Sequence, residues 1–431
     1  MQLPLVLSHE FTSILDHLEY SSDNIFITGR AGTGKSTLLQ IFRNTTKKRA
    51  VVLAPTGIAA LNVNGQTIHS FFGFPPRLLN TKEIEKRRNN KIYSNLDIVI
   101  IDEISMVRAD IIDNIDYFLQ INRGNKLPFG GVQMIFFGDL FQLPPVVSSS
   151  FEKHYFATTY DTPYFFSSKV LATLFMRMVE LHQVYRQDER YFIQLLDAIR
   201  LNRMEYDDFV AINERFVPVP EENDFFITLC SRNDIAKRIN ESKLASLISQ
   251  PHEYTASIVG EFNPQLFPTE FNLILKENAQ VMFVKNDLQK AYVNGTIGIV
   301  TELTSETIQV KIKDSRQGEK YITVEKQEWE ILKYEINPNE KDKISVKVVG
   351  TFTQYPLKLA WAITIHKSQG KTFDQVIIDL GSGAFESGQT YVALSRCRTL
   401  DGIVLKQPLR NRDIIIDDRI TEYYEQIKYL S

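Results

Sequence analysis

The sequence is short of several things, and each shortage removes a class of protein. Only two cysteines, Cys230 and Cys397, occur among 431 residues. That excludes a disulfide framework and a zinc site and suits a reducing compartment. No sign of charge dominates: 49 basic and 52 acidic side chains leave a net charge of −3. No global field therefore gathers nucleic acid, and any such binding must use local basic or aromatic surfaces. No apolar run approaches the ~20 residues that cross a bilayer, so no membrane partner is expected. The opening Met1-Gln2-Leu3-Pro4-Leu5-Val6-Leu7-Ser8-His9-Glu10 has no cationic stretch and breaks its apolar run early. Neither a signal peptide nor a transit peptide is expected, and a cytoplasmic location of bacterial or phage type is. Solenoid repeats and low-complexity tracts are missing too. What remains, 43% hydrophobic and 23% charged, is an ordinary soluble chain of two or more domains.

The rest is arranged around Gly29-Arg30-Ala31-Gly32-Thr33-Gly34-Lys35-Ser36. The apolar run Asn24 to Thr28 before it reads as a short buried strand, and Leu38, Leu39, Ile41 and Phe42 after it have helical spacing. A glycine-rich turn between strand and helix is the context of a phosphate-binding loop. Its glycines let the backbone approach a polyphosphate, and amides at the helix start point at the oxygens. Lys35 is expected to reach the β- and γ-phosphates and the Ser36 hydroxyl to hold Mg²⁺. The sequence thus predicts nucleoside triphosphate binding.

Further strand-like runs follow. Ala50 to Ala54 leads into Pro55-Thr56-Gly57 and a small-residue helix, and Asp97 to Ile101 ends in Asp102-Glu103. A hydrophobic strand ending in two carboxylates suits one acid ordering the Mg²⁺ shell and the next polarising water for in-line attack. A helix is expected from Ser105 to Leu119, then a strand Gln133 to Phe137 ending at Gly138-Asp139-Leu140-Phe141-Gln142. Gln142 can hydrogen-bond either the γ-phosphate or the attacking water. Strand and helix alternate with near-continuous apolarity, which argues for a parallel sheet covered on both faces, with ligands at the carboxyl ends.

A second α/β set begins at Met178 to Leu181, with a helix Glu189 to Ile199, a strand Phe225 to Cys230 and a helix Arg232 to Ile248. From Ala279 to Tyr355 short β-branched runs alternate with turns, and Asn294-Gly295 and Arg316-Gln317-Gly318 supply hairpin chemistry. This reads as a small antiparallel barrel inserted in the second set. The α/β pattern returns with a helix carrying Trp361 to Gly370, a strand Val376 to Leu380, a helix Gln389 to Cys397, a strand Ile403 to Leu405 and a terminal helix Asp417 to Leu430. Between Arg77 and Lys91 lie six basic and two acidic side chains, either a solvated loop or a nucleic-acid contact.

The segments GRAGTGKS, APTGIAA, GQTIHSFF, IIDEISM, GDLFQLPPV, VYRQ, ITIHKSQGKTFDQVIID and YVALSRCRT occur in that order. They resemble the ordered motifs of superfamily-one helicases of the B branch. The petite-integration-frequency (PIF) DNA helicases come first and RecD-like helicases next. LPFGGVQMIFFGDLFQLPPV resembles the signature that separates the PIF group. The resemblance implies an α/β fold of two RecA-like P-loop NTPase domains with an inserted SH3-like β-barrel and a small wedge insertion. The first domain is expected at 1–177 with the wedge at about 64–91. The second is expected at 178–431, interrupted by the barrel at about 280–355. The implied cofactors are ATP and Mg²⁺, and the implied partner is single-stranded DNA with its junctions, bound by a monomeric core moving 5′ to 3′.

Residue by residue, the resemblance assigns Gly29, Ala31, Gly32, Thr33, Gly34, Lys35, Ser36 and Thr37 to the phosphates, with Gly370 also at the nucleotide. Ser36 and Asp102 fall to Mg²⁺ and Glu103 to water activation. Gln142 matches the γ-phosphate sensor, and Arg186 and Arg396 match arginines donated by the second domain. Thr56, His69, Ser70, Phe72, Pro144, Thr364, His366 and Lys367 match DNA-contacting positions. Phe71, Phe72 and Phe74 are candidates to stack or wedge, with at least one expected in the core. One departure stands out. The family carries a glutamine in a Leu-Ser-x-Glu-Gln pattern that reads adenine, and here Leu7-Ser8-His9-Glu10 is followed by Phe11. Two other readings are a RecD-like subunit of a nuclease complex, for which no nuclease carboxylate cluster is present, and a P-loop switch, for which no Asn-Lys-x-Asp motif is present. Forks, RNA–DNA hybrids and G-quadruplexes stay open as preferred substrates.

Overall fold

The computed structural model describes residues 7–220, 225–287, 289–314, 318–337, 340 and 343–430. The expected turn at Arg316-Gln317 and the stretch Met1 to Val6 lie outside them. Six parallel strands make the first sheet: β1 (Asn24–Gly29), β2 (Ala50–Ala54), β3 (Gln66–Thr67), β4 (Ile98–Ile101), β5 (Gln133–Phe137) and β6 (Met176–Leu181), in the order β3-β2-β4-β5-β1-β6. Ile25 stands opposite Ile135, and Val51 opposite Val99. Helices α1 (His9–Tyr20), α2 (Lys35–Thr45), α3 (Gly57–Asn62), α4 (Ile68–Phe72), α5 (Lys91–Ser94), α6 (Ala109–Arg123) and α7 (Ser150–Thr159) connect and cover it. β4 and β5 are buried at every position, which is why their sequences run apolar without alternation. The helix expected from Ser105 begins instead as a short turn, Ile104–Met106, before α6.

The boundary expected at 177 cuts β6. Asn24 to Gly29 pairs in parallel with Met176 to Leu181 along the whole strand, so the first sheet closes at Leu181. Met178 to Leu181, read as opening the second set, belongs to the first. Apolar periodicity marks a strand but not the sheet it joins.

The second half begins with α8 (Arg190–Arg200) and α9 (Tyr206–Asn213), then β7 (Ile227–Cys230) and α10 (Asn233–Ser246). An antiparallel insertion follows. It comprises β8 (His252–Thr255), β9 (Ser257–Gly260), β10 (Asn272–Leu275), β11 (Gln280–Phe283), β12 (Ile297–Leu303), β13 (Ile308–Asp314), β14 (Gly318–Val324), β15 (Gln327–Ile336), β16 (Ile344–Gln354) and β17 (Leu357–Leu359). The chain returns through β18 (Ala362–Thr364), β19 (Val376–Asp379), α11 (Gln389–Leu394), β20 (Ile403–Leu405) and α12 (Asp418–Leu430). The second parallel sheet runs β18-β7-β19-β20, and the insertion is built on the five-stranded sheet β14-β13-β12-β11-β17 with β15-β16-β9 and β10-β8 beside it. It therefore spans β8 to β17, wider than the expected 280–355. The helix expected over Trp361 to Gly370 is instead β18 and a short turn at His366–Ser368, because Ala362 to Thr364 pairs with Thr228 to Cys230.

Two elements of the second half lean on the first. Ile420, Tyr424 and Ile427 of α12 join the core under the first sheet, and Tyr423 stacks on Phe166 with centroids 4.3 Å apart. Tyr334, on the long β15–β16 hairpin, is buried in the same core. Its hydroxyl accepts from the Val52 amide at 3.0 Å. The two-residue β3 starts opposite Leu53 and leaves Val52 uncovered, so the tyrosine satisfies a backbone group the sheet does not.

Candidate active site

The first sheet delivers its chemistry at one edge. Gly29 ends β1, Asp102-Glu103 follow β4, and Gly138-Asp139 follow β5, all at carboxyl ends, where parallel α/β sheets take ligands. Gly32 and Gly34 adopt φ of +86° and +83°, a region in which an L side chain is strained, and Gly34 caps α2. The Lys35 ammonium is turned back on the loop, donating to the carbonyls of Gly29 (2.7 Å) and Arg30 (2.9 Å). Burial pulls its pKa down to about 8, against the opposing charges of Asp139 and Glu103. Thr33 is buried and donates to the Arg30 carbonyl, whereas Ser36 and Thr37 are exposed on the first turn of α2. The Ala31 amide donates to the Tyr391 hydroxyl at 2.9 Å.

Two acids face this loop. Burial, and then the neighbouring Glu103, push the Asp102 carboxyl up to about 7. Glu103 is also raised by burial, with Lys35 and Arg396 acting the other way. Its backbone sits at φ +50°, the left-handed region that non-glycine residues adopt uncommonly. The Ser36 hydroxyl at the start of α2 and the carboxylates of Asp102 and Glu103 after β4 are oxygen donors of the kind that fit Mg²⁺. Among the described residues no cluster of three or more His, Cys, Asp or Glu could hold a metal by itself.

The opposite wall comes from beyond β6. Tyr185 donates its amide to the Gly32 carbonyl at 2.9 Å, and a Cβ on Gly32 would stand 2.5 Å from that of Arg186. The loop is therefore glycine where Arg186 passes. Arg186 donates to the Ser395 carbonyl at 3.1 Å. Arg396, 1% exposed, donates to the Val392 carbonyl and the Ser395 hydroxyl. Burial, then the charge of Arg396, lowers Arg186 to about 9, and burial lowers Arg396 as well. Both guanidinium charges act on Glu103. Gln142 is buried with its Nε2 donating to Asp139 Oδ2 at 3.2 Å. Gly370 is exposed, with open space where a side chain would go.

The expected DNA residues divide. Thr56 is exposed and caps α3 by accepting from the Ala59 amide. Ser70 is exposed and accepts from Gln66 Nε2, and Lys367 is exposed. His69 is half-buried, its pKa lowered by burial and then by Arg108. His366 Nε2 lies 3.0 Å from Glu386 Oε2, and Pro144 is half-buried. Thr364 is 3% exposed in β18 and accepts from the Lys367 amide. Phe72 is a correction. It is fully buried, packed with Phe74 and Phe118 at centroid distances of 5.4 and 5.3 Å, and presents no face to a base. Phe71 and Phe74 are core too. An aromatic run beside a loop cannot be told from a core run until its partners, here on α5 and α6, are known.

The comparisons extend these observations. The family model described as PIF1-like helicase matches residues 6–208. The ATP-dependent DNA helicase Pif1 of Bdellovibrio bacteriovorus is 34% identical over 436 residues, covering 98% of this chain and 93% of that one. The chain belongs to the PIF1-like helicase family. Of the relative named PIF1 in Xenopus laevis it spans 61%. Pif1 of a Bacteroides species in complex with ADP-AlF4 superposes with a TM-score of 0.90 at 35% identity, covering 99% of this chain and 98% of that one. Bacteroides Pif1 bound to ssDNA gives 0.68 at 38% identity with the same coverage. The two parallel sheets are accordingly the two RecA-like domains of this family.

Sequence reasoning missed several groups at the site. Tyr391, in the YVALSRCR segment, holds the Ala31 amide, and Arg30 pairs with Asp197 of α8 at 2.7 Å. Asp139 pairs with Arg200 of the same helix at 3.1 Å. Tyr391 and Asp139 sit inside quoted motifs and were within reach; α8 carried no signal beyond amphipathicity. In the position of the family's glutamine, Phe11 is buried and meets Tyr185 edge-on at 6.3 Å, while Glu10 accepts from the His182 amide. No described helix is long and apolar enough to cross a membrane.

Proposed function

We propose that the chain is an ATP-dependent DNA helicase that tracks single-stranded DNA 5′ to 3′ and separates duplex at single/double-strand junctions, as a monomeric core in the cytoplasm. One observation carries this reading. Lys35 at the start of α2 and Glu103 after β4 face Arg186 and Arg396, which come from beyond the first sheet: Glu103 feels the charges of Lys35, Arg396 and Arg186, and Lys35 feels that of Arg186. An arrangement split across two domains makes hydrolysis depend on how the domains meet.

In this mechanism the Lys35 ammonium leaves the Gly29 and Arg30 carbonyls for the phosphates, and the amides at the start of α2 face the same oxygens. Ser36 and Asp102 would hold Mg²⁺, which supplies charge neutralisation on the phosphates when bound. Glu103 takes the proton of the attacking water. Arg186 and Arg396 stabilise charge that develops on the transferred phosphoryl group. For DNA the reading uses Thr56, His69, Ser70, Pro144, His366 and Lys367, two hydroxyls, two imidazoles, a proline and one lysine with little bulk charge, suited to grip and release in each cycle. Thr364, 3% exposed in β18, is not counted among them. The ssDNA-bound Bacteroides relative supports this partner class.

The test measures ATP turnover with and without a single-stranded oligonucleotide, then strand separation on duplexes carrying a 5′ or a 3′ tail. Stimulation by the oligonucleotide and unwinding from the 5′ tail alone are expected. Turnover indifferent to DNA would overturn the helicase reading, and unwinding from the 3′ tail would reverse the polarity.

A further inference from the structure

Beside the phosphate site lies a buried ion pair that the mechanism above does not use. Asp139 follows β5 and Arg200 ends α8, 61 residues further on. Arg200 Nε and Nη2 donate to Asp139 Oδ1 at 3.3 and 3.1 Å, and the side chains are 3% and 0% exposed. The guanidinium lies 4.4 Å from the Phe141 ring centroid and 5.6 Å from that of Tyr424, with Glu180 Oε1 3.9 Å from Nη1. The Phe141 amide donates to Asp139 Oδ1 and Gln142 Nε2 to Oδ2, each at 3.2 Å.

The hydrogen bonds constrain one another. Burial alone would push the Asp139 carboxyl up, but the charges of Arg200 and Lys35 hold it below the ordinary carboxylate range. An ionised carboxylate only accepts. Gln142 must therefore turn its NH₂ to Asp139, and its carbonyl oxygen is the end left for the site. Among the described residues no donor meets that oxygen. A carbonyl accepts a hydrogen from water and cannot donate to a phosphate oxygen, so the constraint selects one of the two roles open to Gln142.

We propose that Arg200 is a positioning residue for ATP hydrolysis: acting through Asp139, it fixes the Gln142 amide with its carbonyl toward the attacking water. The inference rests on the helicase reading above and names a residue which that reading leaves out. Because α8 lies against the second sheet and β5 in the first, the same pair ties water positioning to the junction of the domains.

The test compares Arg200→Gln, Asp139→Asn and the double variant with the parent in oligonucleotide-stimulated ATP turnover, separating kcat from KM. Each single change should lower kcat about 10- to 100-fold, the range for partners that orient a reacting group. KM for ATP should stay within about threefold, because the contact matters in the transition state and not in substrate binding. Affinity for ADP with aluminium fluoride should fall with kcat, while affinity for ADP alone should not. The double variant should be no worse than the worse single, since both remove one constraint. Arg200→Lys keeps the charge but loses the two-pronged fork. It should fall between parent and Arg200→Gln, and it carries the test if the latter does not fold. Normal kcat in a folded single variant, losses that multiply in the double, or a loss confined to KM would each overturn the proposal. A parent that hydrolyses no ATP would overturn the helicase reading instead.

Discussion

The two walls of the nucleotide site are built on opposite electrostatic plans. On the first sheet's edge a buried and a half-buried acid stand side by side, and desolvation drives Asp102 up to about 7. On the facing wall a buried and a half-buried arginine stand together, and desolvation brings Arg186 down to about 9. Like charges taken out of water are costly on either wall. Lys35 offsets part of the acidic charge from its own side, and the rest lies across the junction, where Arg396 and Arg186 act on Glu103. The Asp139–Arg200 pair beside them differs in being already matched and hydrogen-bonded. Neither wall is a finished site, and the unmatched charges are the ones that nucleotide and domain approach can settle.

The sharpest way to break this comparison is Glu103→Gln. Turnover should fall by about 10⁴-fold, the upper range for a lost general base, while binding of ATP and single-stranded DNA persists. Turnover at the parental rate with saturating DNA would show that the acidic wall does not supply the base.

Breaking the other wall should cost somewhat less. Arg396→Ala and Arg186→Ala should each cut stimulated turnover about 10³-fold, as for arginines that reach a phosphoryl group across a junction, with nucleotide-free DNA binding near normal. If DNA binding fails and hydrolysis survives, the arginines belong to the DNA track.

A third experiment asks whether the basic excursion between α4 and α5 works separately from both walls. Leu79 and Ile84 are core, Arg77 pairs with Glu83 at 2.7 Å, and Arg87 donates to the Phe72 carbonyl. Replacing the whole loop would therefore damage the first domain. Alanine at Lys82, Lys86 and Arg88, all exposed, should lower unwinding of a tailed duplex by about tenfold through lost phosphate contacts. ATP turnover should stay within about twofold, because the phosphate site is elsewhere. Equal losses in both assays would refute a separate role.

The smallest effect is a pH shift on the acidic wall. The protonated form of a raised carboxyl competes with a cation, so Mg²⁺ should be held less well as pH falls below about 7. The Mg²⁺ concentration for half-maximal turnover should rise by at most about tenfold per pH unit in that range. No change between pH 7 and 6 would place the cation away from Asp102.

Most of the first sheet was legible because its determinants are local. A strand buried on both faces writes itself as an apolar run, and a phosphate loop needs glycine wherever its backbone turns left-handed, as at Gly32 and Gly34. The acids after β4 and the start of α2 followed from the same runs. Assignments failed where one local pattern has two tertiary solutions. Phe72 could face a base or a core, and Met178 to Leu181 could join either sheet. Ala362 to Thr364 reads as helix until Thr228 to Cys230 lies beside it.

What the chain decides alone, then, is which segments are strand or turn and which side chains stand at strand ends, because backbone sterics and apolar spacing act over a few residues. What only the folded molecule decides is which distant groups complete one another. Ala31 meets Tyr391 across 360 residues, Val52 meets Tyr334 across 282, and Asp139 meets Arg200 across 61. Each contact satisfies a buried polar group that would otherwise lose its water without a replacement, and no spacing rule in sequence connects the two partners.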